Sequence, residues 1–306
     1  MPRKNPVVIL SIVLVVLLVL AWATGAFKRN PSTIDVPEWT LRADEITRIR
    51  LERPGKDPLV LERSGSGWQL TAPIHYPADS SFARRFVENL AETELESVVS
   101  TNPARYGNYG VADSNAIRLV AYRKAGDSLQ LFWGNTGPDF NARYVRLATD
   151  ERVFLARTEL TFPEDLARWR DKTILNVPAG QIEALEVQHE GKRYGVRRGE
   201  SGWELVEDDQ TAPADSAAAA RWAGQFDPLR ADGFFDDLPA DSIRRAPDYV
   251  LTLRLPGGVQ QVLYFDERSN GWALVRGDDE TVFRIYAYRR NQLLPEASSL
   301  RAKSEE

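Results

Sequence analysis

The chain has 306 residues, 43% of them hydrophobic and 27% charged, which gives length and apolar content for two folded domains. It contains no cysteine, so disulfides, thiolate metal sites and cysteine nucleophiles are excluded. The net charge is −5; setting aside the first thirty residues, whose only charges are Arg3, Lys4, Lys28 and Arg29, leaves 35 basic against 44 acidic groups, a surface that repels nucleic acid.

The first predicted element is the charge-free run Val7–Phe27. As a helix it spans roughly 30 Å, the thickness of a bilayer's hydrocarbon. Residues 1–30 are therefore expected to form a cytoplasmic stub and a transmembrane anchor, with the lipid bilayer as a partner. The rival is a cleaved signal peptide, with Ala21-Trp22-Ala23 as its small-x-small site and only Val7–Leu20 as its aliphatic core. Continuation of the run to Phe27 and its ending in Lys28-Arg29 favour the uncleaved anchor. The flanking basic residues nearly balance, and no second apolar span follows. The expected placement is a single-pass protein of the bacterial inner membrane, its bulk facing the periplasm or the cell exterior.

From Pro31 the sequence turns globular. "ITRIRLER" at Ile46 alternates apolar and polar residues as a strand does, "PLVLERS" and "GWQLTAP" follow as two more, and "PADSSFARRFVENLAETEL" changes to helical spacing. Asp79 or Ser80 caps that helix, and Phe82, Phe86, Val87, Leu90, Ala91 and Leu95 form its apolar stripe. Four short strands come next, "AIRLVAYRK", "SLQLFWG", "RYVRLA" and "RVFLAR", and then a predicted helix, "ELTFPEDLARW".

The same order recurs after the expected inter-domain joint Asn176–Gly180: "IEALEVQHEG", "KRYGVRRG", "GWELVED", then "APADSAAAARWAGQF". Ile46 matches Ile182, Trp68 matches Trp203 and Pro77 matches Pro213, at offsets of 136, 135 and 136. A folding unit has therefore been repeated. Residues 31–176 are read as the first repeat, 177–296 as the second and 297–306 as a frayed tail. The hairpin-length turns predict an α+β fold: antiparallel sheets, each with one main helix and a short closing helix packed on one face. Gly67-Trp68 and Gly202-Trp203 mark the repeat. A strand-start Trp is read as a core pillar, and Gly lets the chain turn into the strand; the alternative is an aromatic ligand platform.

The apolar N-terminal run, the paired strands leading to "GWQLTAP", the Pro-Ala-Asp helix, Tyr109-Gly110-Val111, "WG…YVRL…VFLA" and the closing "RDKTIL" together resemble a bacterial family built on a domain of unknown function. Its members are often encoded beside gliding-motility-type, or auxiliary, ABC transporter subunits. The second repeat has Arg245-Ala246-Pro247 where the first has the Tyr-Gly-Val turn, so that copy has drifted. The resemblance implies an envelope-located accessory of a transporter-like assembly with membrane-protein partners; it implies no reaction.

Catalytic patterns are sparse. There is no phosphate-binding loop, no His-Glu-x-x-His and no Gly-x-Ser-x-Gly elbow. His75 and His189 stand in different repeats. The cluster "FFDDLPADS" holds Asp236, Asp237 and Asp241, read as a solvated turn in preference to a carboxylate pair or a calcium site. No cofactor, metal or catalytic residue is expected. The longest turn-rich loop, "GNTGPDFNARYV", offers Asn135, Asp139, Asn141 and Arg143 as an interaction loop. The expected function is that of a membrane-anchored, non-catalytic interaction protein. The alternatives are a glycan- or peptide-binding module that uses Trp and Tyr as platforms, and a carboxylate-dependent envelope hydrolase.

Overall fold

The computed structural model describes residues 14–16, 36–208 and 210–302. Apart from Leu14, Val15 and Val16, which are helical and exposed, the predicted anchor lies outside the described residues. Among the described residues no helix is long and apolar enough to cross a membrane.

The first part of the chain forms β1 (Ile46–Glu52), β2 (Leu59–Ser64), β3 (Gly67–Ala72), β4 (Tyr76–Pro77), helix α1 (Ser80–Ala91), β5 (Glu94–Ser100), helix α2 (Tyr106–Tyr109), β6 (Ile117–Arg123), β7 (Ser128–Thr136), β8 (Ala142–Leu147) and β9 (Val153–Arg157). Then follow β10 (Thr173–Leu175), β11 (Ala184–His189), β12 (Lys192–Gly199), β13 (Gly202–Glu207), β14 (Gln210–Pro213), α3 (Ser216–Ala223), β15 (Leu229–Arg230) and β16 (Gly233–Phe234). The last elements are α4 (Ala240–Arg245), β17 (Tyr249–Arg254), β18 (Gln260–Arg268), β19 (Gly271–Arg276), β20 (Phe283–Ile285) and α5 (Ala287–Leu293).

Two nine-stranded sheets result, in the orders β4-β3-β2-β1-β6-β7-β8-β9-β5 and β14-β13-β12-β11-β17-β18-β19-β20-β16. Position for position the two orders are the same, and the described strand pairs are antiparallel. The side chains repeat as well. Arg63 lies 4.8 Å from the Trp68 ring centroid and gives its Nε–H to the Ile46 carbonyl at 2.7 Å. Arg198 lies 4.5 Å from the Trp203 ring and gives its Nε–H to Ile182 at 2.9 Å. Asp79 accepts from the N–H groups of Ser81 and Phe82, and Asp215 from those of Ala217 and Ala218, so both main helices start on the same cap. Both arginines stand five residues before their Trp, a signal the sequence carried beside the Gly-Trp pair.

Several expectations are corrected. The main helix stops at Ala91, and Leu95 lies in β5 instead of extending the stripe. "ELTFPEDLARW" holds only one 3-10 turn, Leu166–Arg168, capped by Asp165, because Pro163 has no N–H to give a longer helix. The compact units are residues 1–75 with 83–162, and 76–82 with 163–306. Residues 163–176, read as the end of the first repeat, thus belong to the second unit: β10 pairs with β15, and the Val177 N–H bonds to Phe226. The tail is docked as far as Ala302. Leu300 is buried, its carbonyl accepts from Asp215 N–H, and the Ala302 N–H reaches Pro213.

Helices also cover both faces rather than one. In the second sheet Trp272 and Leu274 enter the large core with Trp222 and Phe226. Their neighbours on β19, Ala273 and Val275, enter a second cluster with Ala240 and Ile243 of α4. Alternate residues of one strand point to opposite faces, so both faces are buried. In the first unit α1 buries Ala83, Phe86, Val87 and Leu90. A separate cluster of Val111, Ala116, Phe132 and Val153 is capped by Tyr106 and Tyr109 of α2.

Candidate interaction surface

The β7–β8 hairpin of the first unit has a loop running from Gly137 to Asn141, whereas the equivalent β18–β19 connection is the two-residue turn Ser269-Asn270. The loop is held by its own backbone. The Gly137 N–H bonds to Ala142 at 2.7 Å, that of Ala142 to Asp139 at 3.0 Å, and that of Thr158 to Asn141 at 2.8 Å. At its tip Phe140 is 96% exposed. An aromatic ring held almost wholly in water on a braced hairpin gains nothing for the fold.

The base of the hairpin is fixed by α2. Gly110 ends that helix in the left-handed conformation at φ 72°, and a Cβ there would sit 2.5 Å from Asn135 Oδ1. A Cβ on Gly134 would strike the Tyr109 carbonyl oxygen. The Tyr109-Gly110-Val111 turn and the Trp133-Gly134 pair are thus two sides of one close backbone approach. Tyr109 packs edge-on against Tyr144 at 4.9 Å.

The four loop residues singled out from sequence divide by place. Asn135 reaches the Asn108 carbonyl and Arg143 the Gly134 carbonyl, both at 3.4 Å, so both serve the base. Asp139 is exposed at the tip, and Asn141 lines a cavity of about 250 Å3 with Asn89, Glu92, Glu94, Arg157, Thr158 and Glu159. Behind this cavity the hydroxyls of Thr93 and Thr158 meet at 3.0 Å in the interior. Thr93 Oγ1 gives its proton to Asn89 O, so the Thr158 hydroxyl donates to Thr93 while accepting from Leu160 N–H. Arg157 is held by Glu96 at 2.7 Å, which raises the guanidinium's pKa further above its ordinary value. The remaining acids, Glu92, Glu94, Glu159 and Asp139, give this side of the unit a negative field. Sequence reasoning missed Phe140, although it stands inside the chosen loop, because exposure of a single aromatic has no local sequence signature.

The other sequence candidates are occupied elsewhere. Trp68, Trp203 and Trp272 are 7%, 8% and 9% exposed, so none offers a ring face as a platform. His189 stacks on Tyr249 at 3.9 Å with Nδ1 2.8 Å from the Asp248 carbonyl oxygen. His75 is exposed on the connection before β4. Asp236 binds Arg170, Asp241 binds Arg244 and Asp237 is exposed, so the acidic cluster forms no facing carboxylate pair. Among the described residues no group of three or more His, Cys, Asp or Glu could hold a metal ion.

The family described as "Domain of unknown function (DUF4340)" matches residues 68–249, more than half of the chain. The chain belongs to this family. The match begins at Trp68 in β3 and ends at Tyr249, where β17 starts, so DUF4340 takes in strands of both sheets. No curated protein and no solved structure matches the chain.

In this DUF4340 chain the "RDKTIL" segment also has a physical account. Arg170 is buried, its side chain only 5% exposed, with its guanidinium carbon 3.4 Å from the Phe234 ring centroid and 4.4 Å from that of Tyr76. Nη1 reaches Asp236 at 2.5 Å, while Nε is enclosed without a partner. Backbone bonds from Asp79 N–H to Trp169 and from Asp171 N–H to Pro77 hold this segment along the strand that leads into α1.

Proposed function

We propose that the chain is a membrane-anchored, non-catalytic extracytoplasmic interaction protein, accessory to an ABC-transporter-like envelope assembly. The observation that carries this reading is Phe140, a 96% exposed aromatic on a hairpin extension that the sibling sheet lacks. Aromatic side chains are the usual anchors of protein interfaces. The apolar run Val7–Phe27 supports the membrane tether.

The point at which the described chain enters the first unit supports the same reading. The described chain enters the first unit at Val36, and the Trp39 indole N–H bonds to the carbonyl of Leu90, at the end of α1, at 3.0 Å. Asn89, in the last turn of that helix, and Glu92, just beyond it, line the Asn141 cavity. The residues between Phe27 and Val36 can reach about 30 Å at most. A bilayer-spanning Val7–Phe27 would therefore tie this side of the unit close to the membrane, within reach of the exposed parts of membrane proteins. The burial of Trp68, Trp203 and Trp272 and the exposure of Asp236 and Asp237 weigh against the glycan-platform and hydrolase alternatives.

Expression of the full chain in a bacterial host tests the proposal. It is expected in the inner-membrane fraction, resistant to carbonate, with the globular part open to protease in spheroplasts. Recovery in the cytosol, or protection from that protease, would refute it.

A further inference from the structure

Among the described residues the strand order leaves β5 at one end of the first sheet, with β9 as its one strand neighbour. An edge strand of this kind presents every second N–H and C=O to whatever lies beside it. Glu94–Ser100 is seven residues, roughly 23 Å of such edge. It carries no lysine or proline; its charges are the acids Glu94 and Glu96, which leave the edge open to a basic strand while discouraging an acidic one. The second unit is an internal control: the strand in the equivalent place, β16, has only the two residues Gly233–Phe234. The shared topology therefore does not require a long strand here.

The register of β5 shifts between Leu95 and Ser97 and between Val98 and Ser100. Between the shifts Ser97 and Val98 pair regularly with Leu155 and Phe154. In consecutive antiparallel pairs one residue turns its backbone groups toward the neighbour and the other turns them away. One of Ser97 and Val98 therefore offers N–H and C=O to the open side. Val99 packs against the Val111 cluster and its carbonyl accepts from the Tyr109 hydroxyl at 3.5 Å, so the open stretch is the earlier part of the strand, where Leu95 and Val98 are half-buried.

We propose that the open edge of β5 receives an extended segment of a partner protein carrying lysine or arginine, added as a further strand. This rests on the interaction reading above and names the partner's chemistry. Strand addition draws affinity from main-chain hydrogen bonds and specificity from side-chain pockets. The pocket is the cavity of about 250 Å3 at the start of β5; its wall carries one cation, Arg157, which Glu96 neutralises, against the three carboxylates Glu92, Glu94 and Glu159, so the balance is negative and there is room for one long basic side chain. The acids around the strand select the occupant. A second copy of β5 would bring the same carboxylates, and an anionic lipid surface would be repelled.

The test uses the full chain in detergent and two capped nonapeptides, one alternating lysine with valine and one alternating glutamate with valine. The lysine peptide is expected to slow hydrogen exchange at the amides of residues 94–100, and the glutamate peptide to leave them unchanged. Of Ser97→Pro and Val98→Pro, the variant whose N–H faces outward keeps its native circular dichroism and loses the peptide at least tenfold. Glu94→Lys with Glu159→Lys weakens binding by a similar factor. The proposal is overturned if the lysine peptide leaves residues 94–100 unprotected, if both peptides protect them equally, or if vesicles of phosphatidylglycerol protect them instead. Crosslinking of residue 140 to a membrane protein, measured separately, distinguishes failure of strand addition from failure of the interaction reading.

Discussion

Arg170→Ala should be among the more destabilising single changes in the second unit, and its cost can be worked from the structure. The guanidinium lies over two aromatic rings, at 3.4 Å from Phe234 and 4.4 Å from Tyr76, worth about 1 kcal/mol each. Its aliphatic stem is buried, and truncation leaves a partly unfilled space worth a further 1 kcal/mol or so. The ion pair adds little, about 0.5 kcal/mol, because the Asp236 side chain is 65% exposed and is resolvated when the arginine goes. The sum is about 3.5 kcal/mol. Arg170→Met keeps the stem and removes the cost of holding a charge out of water, including the enclosed Nε, so it should recover at least half of that loss. Urea titration followed by hydrogen exchange in β10, β15 and β16 reads the second unit separately from the first. An Arg170→Ala variant within about 0.5 kcal/mol of the parent would refute the assignment of this residue as the clamp on Tyr76 and Phe234.

Further outcomes follow from other sites. Gly134→Ala places a methyl against the Tyr109 carbonyl and should cost about 2 kcal/mol by the same titration, read in the first unit. Phe140→Ser removes no buried surface and should leave stability within about 0.5 kcal/mol while abolishing partner capture. Burial, reinforced by nearby Tyr249, pushes the Tyr194 phenol up to about 12, from an unfolded value near 10. A raised folded value means that its contribution is complete below about pH 10 and is lost as pH climbs toward about 12. Stability measured across that range should therefore fall less steeply in Tyr194→Phe than in the parent.

What could be read from sequence was what depends on near neighbours. Trp68 and Trp203 follow a glycine turn into a strand, and Asp79 and Asp215 cap helices through N–H groups two and three residues on, so each leaves a compact signature. Antiparallel pairing followed from short turns. Long-range features were out of reach. Arg170 meets Asp236 across 66 positions, and no pattern around either names the other. β5 was hidden because Leu95 continues the helical stripe of α1, and nothing local shows that the chain breaks after Ala91 and turns into an edge strand. The docked tail was missed for a similar reason: Leu300 is held by Asp215 and Ala302 by Pro213, not by anything in their own charged neighbourhood. At the hairpin, composition located the loop and its polar residues. Which of them stand at the base and which at the tip depends on α2, whose approach to β7 is visible only in three dimensions.

The most direct test of the central claim is photo-crosslinking from position 140 in intact membranes, with the exposed Val259 of the second unit as the control position. The account predicts one dominant membrane-protein adduct from position 140 and none from position 259. No adduct at 140, or the same adducts at both positions, would contradict it.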